Sequence, residues 1–258
     1  MNVSQGHTLA LEMAYDGYVF SGFAQQAGQL TVQGSLNEAL ELLYKRPIET
    51  VCAGRTDAGV HALQQVVSFN LEHDEFESRS LHTLKRSLNA LIDSNAVVSN
   101  IIEKPFGFSA RFDAKAREYR YFINTGDTLP VLIRNCVWHL GRPLDIDAMR
   151  QGANYLLGEH DFKSFCLTAS AKDKTTFRNI IELSVSEEEL IGKHVVVVKV
   201  RGNAFLHSMV RTMVGTLVDV GLGKRQPEWI GDVLVACNRS KAGETAPARG
   251  LILWQVIY

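Results

Sequence analysis

The order of the apolar runs limits the folds open to this chain more than any other feature. Residues 8–14 alternate loosely and predict a strand; residues 31–43 set Val32, Leu36, Ala39, Leu40 and Leu43 on one helical face behind Thr31 as N-cap. Residues 49–53 and 65–71, rich in Val, Phe and Cys, predict two strands joined by a glycine-containing loop over 54–62. Residues 80–92 carry Leu81, Leu84, Leu88, Leu91 and Ile92 at helical spacing, and 97–102 reads as another strand. The first half is therefore βαββαβ, the split βαβ plan of ferredoxin-like folds.

The second half repeats the plan in its elements, with no repeat in the sequence itself. Strand 118–123, helix 146–157, strands 178–185 and 194–200, helix 206–220 and strand 251–257 follow in order, with an added helix over 227–237 that opens on Pro227. The fold class this predicts is α+β. Two ferredoxin-like, RRM-like βαββαβ halves, residues 1–105 and 106–258, are joined through a mainly antiparallel sheet with a cleft between them. The division falls where Pro105 and Gly107 interrupt the strand pattern.

At 258 residues, 46% hydrophobic and 21% charged, the chain can bury a core without covalent staples. Cys52, Cys136, Cys166 and Cys237 form no CxxC pair and have no histidine at zinc-ligand spacing, which argues against a disulfide framework or a structural metal. A reduced, cytoplasmic setting is expected. The polar start, Met1 to Thr8, lacks the basic and apolar regions of a signal peptide, and no apolar stretch reaches membrane-spanning length. A net charge of −1 argues against coating nucleic acid non-specifically, since that relies on summed phosphate neutralisation. It leaves room for a local basic groove. The stretches 104–120 and 199–225 are basic enough to supply one, or to be merely solvated faces.

The run Gly54-Arg55-Thr56-Asp57-Ala58-Gly59-Val60-His61-Ala62 puts a carboxylate on a connection between strands, bracketed by glycines that permit tight turns and close approach of a ligand. By spacing alone Asp57 could equally close an ordinary turn with its own backbone. The Asp57/His61 spacing also invites a metal-hydrolase reading, but a third ligand is missing and one carboxylate with one histidine is a poor zinc site.

The run and its flanks resemble the catalytic motif of the TruA family of tRNA pseudouridine synthases. So do, in order, Tyr15-Asp16-Gly17 with Gly22-Phe23, Thr31-Val32-Gln33-Gly34, Phe108-Ser109-Ala110-Arg111-Phe112, and Ala116-Arg117-Glu118-Tyr119-Arg120-Tyr121. Leu157-Gly158-Glu159-His160-Asp161-Phe162, Arg178-Asn179-Ile180, Phe205-Leu206 with Met209-Val210-Arg211, and Thr245-Ala246-Pro247-Ala248-Arg249-Gly250-Leu251 continue the likeness over nearly the whole chain. The chain departs from the family in having Ala24 after Phe23, and in residues 167–176, which align with no motif.

The resemblance implies an isomerase that turns uridine into pseudouridine in the anticodon stem-loop of tRNA, positions 38 to 40, working as a homodimer. It implies no cofactor and no metal, because the reaction breaks C1′–N1 and rejoins the base through C5 without redox change. Asp57 would be the nucleophile in the family's setting, and its carboxylate could assist cleavage either by attacking the sugar covalently or by stabilising positive charge on it. Burial opposes its charge, so a cation should hold it ionised, and Arg211 on the apolar helix 206–220 is the candidate unless it faces solvent. Tyr119, rather than Tyr121 on the same strand face, would pack against the target base, unless both are core. Arg55 would hold the flipped nucleotide or else make a local salt bridge. Phe108, Ser109, Ala110, Arg111 and Phe112 would contact RNA.

Overall fold

The computed structural model describes residues 6–167 and 175–258. Most of the polar start, at 1–5, and most of the unaligned stretch, at 168–174, lie outside it. The chain is mixed α+β with mainly antiparallel pairing, as its periodicity predicts. It forms two compact units, Met1–Lys115 with Leu253–Tyr258, and Ala116–Ile252.

In the first unit, β1 (His7–Tyr15) leads through a 3-10 turn (Gly17–Val19) to α1 (Val32–Tyr44). Then follow β2 (Val51–Cys52), β3 (His61–Leu71), the short α2 (His73–Glu77), α3 (Leu81–Leu91) and β4 (Ala96–Lys104). Strand order is β4-β1-β3-β2 with every neighbouring pair antiparallel, which is what a split βαβ plan produces. Thr31 Oγ1 accepts the Gly34 N–H at 3.1 Å, so α1 starts on its expected cap, and α3 starts on a cap of its own, Ser80 Oγ accepting the Thr83 N–H at 3.2 Å. Of their expected apolar stripes, Val32, Leu36, Ala39 and Leu40 on α1 and Leu84 and Leu88 on α3 are buried, as is Ile92 just after it, whereas Leu43 and Leu81 are half-buried and Leu91, in the last turn of α3, is exposed.

The sequence places the end of this unit at 105, whereas contacts carry it to Lys115. Gly107 N–H donates to Thr8 Oγ1 (3.1 Å) and Ala110 N–H to Ser68 Oγ (3.0 Å), tying the segment after β4 to β1 and β3. The chain's last residues return to it: Tyr258 donates its hydroxyl to Ala110 O (2.8 Å), and Lys115 N–H donates to Ile257 O (2.8 Å). Pro105 and Gly107 follow the end of β4 and lie inside the first unit.

The second unit contains β5 (Ala116–Asn124), β6 (Trp138–His139), α4 (Ile146–Asn154), β7 (Gly158–Asp161), β8 (Phe177–Leu190) and β9 (Lys193–Gly202). α5 (Met209–Gly221) and α6 (Trp229–Ala236) follow, and then β10 (Leu251–Ile257), which runs from this unit into the first. Antiparallel pairing runs β5-β9-β8-β7, and the short β6 pairs parallel with the end of β5. α5 begins three residues later than its apolar pattern suggests, because Ser208 takes a left-handed conformation (φ 58°) that breaks the helical path from Leu206. Its side chains are buried nearly all round.

Gly215 on α5 is a contact requirement. A Cβ there would lie 1.8 Å from Glu244 O, so only glycine lets the segment carrying Thr245 and Ala246 lie along the helix. Gly215→Ala should lower stability by about 1–3 kcal/mol through overpacking, read as a shift of the urea unfolding midpoint.

Candidate active site

The loop carrying Asp57 is held from several directions within the first unit. Thr56, its side chain buried, hydrogen-bonds Tyr15 Oη at 2.8 Å. Gln65, wholly buried, donates Nε2 to Gly54 O at 2.6 Å and to Tyr15 Oη at 3.4 Å. Phe23 N–H donates to Thr56 O (3.1 Å), and Val60 N–H closes a turn on Asp57 O (3.1 Å). Burial pushes the Tyr15 phenol well above its ordinary pKa, against the lowering effect of its Thr56 and Gln65 bonds, so it stays neutral as part of this cluster.

Two glycines let the loop after β1 press on the Asp57 loop. A Cβ at Gly17 would fall 2.0 Å from Val60 O, and one at Gly22, where φ is +108°, 3.2 Å from Thr56 O. This explains the spacing of Tyr15-Asp16-Gly17 and Gly22-Phe23 in physical terms. His61 belongs to the same contact: its buried Nδ1 accepts the Gly17 N–H at 3.1 Å and lies 3.1 Å from Asp16 Oδ1. One ring nitrogen cannot both accept from Gly17 and donate to Asp16 at once, so which bond it makes depends on the tautomer. Either way the imidazole is engaged with the Asp16–Gly17 turn. Among the described residues no group of three or more His, Cys, Asp or Glu side chains could hold a metal ion.

Asp57 is half-buried and Arg55 exposed. The Arg55 and Arg111 guanidiniums both pull on the Cys52 thiol, and burial outweighs them, pushing that thiol up to about 11. Arg55 and Arg111 thus both lie within electrostatic reach of one buried strand residue just before the Asp57 loop. Of the 108–112 run, Phe108 is half-buried against Tyr258 (centroids 5.1 Å), with the Lys104 ammonium 5.4 Å from its ring centroid. Ala110 is fully buried, and Ser109 N–H is tied to Asp113 Oδ2 at 2.8 Å. Arg111 and Phe112 are the exposed members, the guanidinium lying 5.2 Å from the Phe112 ring centroid.

In the second unit the two tyrosines of β5 separate clearly. Tyr121 is wholly enclosed: its hydroxyl donates to Pro247 O (2.7 Å), and its ring occupies the space where a Cβ on Gly250 would come within 2.6 Å. Tyr119 keeps 7% of its surface and meets Phe205 edge to face at 5.1 Å and 84°. Arg211 on α5 is half-buried, donating Nε to Ala246 O at 2.8 Å while its own carbonyl accepts the Ala246 N–H at 3.1 Å. It does not share the exposure of His207.

Much of the local basic charge is already balanced. Arg117 is buried, with Nη1 on Asn203 O (2.8 Å). Arg120 pairs with the buried Glu118 (3.0 Å), and Lys199 and Arg201 both pair with Glu182 (2.7 and 3.0 Å) across adjacent strands. The basic stretch at 199–225 is in this part a paired ladder. Sequence reading assigned no role to Tyr15, Thr56, Gln65, Phe205 or Asn203, whose partners are distant in the chain.

Residues 153–258 match the family described as tRNA pseudouridine synthase. The tRNA pseudouridine synthase A of Brevibacillus brevis is 44% identical over 246 residues, covering 95% of this chain and 97% of the relative. That of Thermotoga neapolitana is 39% identical over 250 residues, covering 97% and 99%. That of Shewanella baltica is 41% identical over 250 residues, covering 97% and 92%. With the α+β fold, these likenesses define a pseudouridine synthase, an isomerase. The chain belongs to the TruA family, as its motifs indicated.

Because the Cys52 pKa is raised, its thiolate is scarce at neutral pH and becomes abundant only above about 11. Alkylation of folded protein by iodoacetamide at pH 8 should spare Cys52 while unfolded protein reacts at all four cysteines, checked by peptide mass mapping.

Proposed function

We propose that this enzyme isomerises uridine to pseudouridine in the anticodon stem-loop of tRNA, at positions 38 to 40, with Asp57 as the nucleophile and no cofactor. The observation that carries the assignment of Asp57 is the way its loop is fixed. A half-buried carboxylate sits between the pinned Thr56 and a turn closed by Val60, and buried polar bonds hold the loop on both sides. A carboxylate so fixed can meet the sugar without the chain reorganising at the moment of reaction.

Arg211 serves as the second catalytic residue, Tyr119 packs on the target base, and Arg55 holds the displaced nucleotide. Arg111 and Phe112, the exposed members of the 108–112 run, meet the RNA directly, while Phe108, Ser109 and Ala110 seat them. Two copies of the chain acting as a homodimer in the cytoplasm would gather cations from both into one groove, which reconciles a net charge of −1 with an RNA substrate. No helix among the described residues is long and apolar enough to cross a membrane.

The test is tritium release from tRNA transcripts labelled at uridine C5, with EDTA present. The parent should release tritium and a folded Asp57→Ala variant none; Arg211→Lys, which keeps charge but loses the fork, should fall by about 10²-fold. No release by a folded parent from a full set of tRNA transcripts would overturn the substrate assignment, and full activity in Asp57→Ala would overturn the nucleophile. Binding of tRNA should weaken with salt with a log–log slope steeper than about −2, as expected if three or more phosphates are contacted. Sedimentation equilibrium at micromolar protein should give twice the chain mass.

A further inference from the structure

We propose that Phe205 is a positioning residue that sets the plane of the Tyr119 ring for the target base, and that Asn203 and Arg117 exist in this unit to hold Phe205 in place. The inference rests on the reading of Tyr119 as the residue that packs on that base.

Tyr119 lies opposite Val200 in the β5–β9 pairing, and its ring meets Phe205 edge to face at 5.1 Å and 84°. That geometry is a preferred one for aromatic pairs and restrains rotation of both rings. Phe205 follows the end of β9 by three residues, on a connection that would be free to move if only its apolar side chain held it. It is not so free. Asn203 Oδ1 accepts the N–H groups of Asn179 (3.0 Å) and Ala204 (2.8 Å), and Asn203 N–H donates to Asn179 O (3.1 Å).

The fourth bond is from Arg117, whose buried guanidinium donates Nη1 to Asn203 O at 2.8 Å. Burying a guanidinium is costly unless it is well bonded. Here it anchors a backbone carbonyl two residues from Phe205 and comes from the strand that carries Tyr119. Gly202 completes the arrangement: a Cβ there would stand 3.1 Å from Phe205 Cζ and 2.9 Å from Asn179 O, so the ring needs a glycine beneath it. After Phe205 the chain turns through left-handed Ser208 into α5, the helix of Arg211.

One short, over-determined connection therefore fixes the neighbour of the Tyr119 ring. A base packing on Tyr119 meets a ring whose tilt is already chosen, and a ring free to rotate would hold the base in several orientations of which few react.

The experiment compares Phe205→Leu, which keeps apolar volume but removes the ring, with Phe205→Tyr, which restores it, in full-length protein on a tRNA substrate. Phe205→Leu should lower kcat by about 10-fold or more, with KM and tRNA Kd within about twofold of the parent. Phe205→Tyr should recover most of the loss. In a Tyr119→Leu background, measured as residual single-turnover rate, the same Phe205→Leu change should have no further effect.

Parental kcat in a folded Phe205→Leu variant, or an equal loss in both backgrounds, overturns the proposal. If thermal melting shows that Phe205→Leu destabilises the fold, Asn203→Ala, which frees the connection and keeps the ring, carries the same expectation, and parental kcat there overturns it. Parental turnover by Tyr119→Leu alone sinks the reading of Tyr119 and this inference with it. Loss of turnover in Tyr119→Leu but not in Phe205→Leu sinks this inference alone.

Discussion

The buried contact between Tyr15, Thr56 and Gln65 is the interaction on which the rest of the first unit's chemistry depends. Three polar side chains taken out of water must satisfy one another, and they do so across β1, the Asp57 loop and β3. A loop held only by apolar packing could slide by a fraction of an ångström. One whose carbonyl and hydroxyl are specific hydrogen-bond partners cannot move without breaking a bond inside the core. The close seating of Gly17 on Val60 adds a steric stop to that electrostatic one. Asp57 is thereby the half-buried member of a segment tied to the core through Gly54 and Thr56.

The second unit reaches the same end differently. Its candidate residues sit on regular elements, Tyr119 on β5 and Arg211 on α5, and are trimmed by irregular segments laid against them. The 244–247 segment grips Arg211 through both backbone and side chain and takes the Tyr121 hydroxyl. That arrangement is possible because Gly215 and Gly250 leave no Cβ in the way. Glycine in these motifs is a matter of clearance, and the tyrosine that looks equivalent by alternation is consumed as structure.

Much of the fold is legible in the sequence because strand and helix periodicities are local. The long elements fall where Val, Leu and Ile repeat at the right interval, and the cap Thr31 announces its helix. What escapes is either too short to carry a period, such as β6, β7 and α2, or set by backbone conformation, such as the delay of α5 by Ser208. The extent of the first unit escapes as well, since it depends on bonds between residues as far apart as Ala110 and Tyr258. For the site, Asp57 stands out only through resemblance to a family, because an aspartate between glycines is also an ordinary turn. The supports of the site are invisible for a general reason: Tyr15 and Thr56 are 41 positions apart, Arg117 and Asn203 are 86, and no local pattern encodes such pairs.

The return of residues 253–258 to the first unit has a consequence for how the molecule is made. A ribosome releases the amino-terminal unit first, and units of this size ordinarily mature as they emerge. Here a strand that finishes the first-made unit is synthesised only after the whole of the second unit. The Asp57 loop is thus synthesised early but housed in a body that is completed only after the second unit has been made. A nascent chain arrested anywhere in the second unit carries the Asp57 loop on its Tyr15, Thr56 and Gln65 supports but lacks the strand that completes the first unit, so that unit reaches its full set of contacts only after the second has been made.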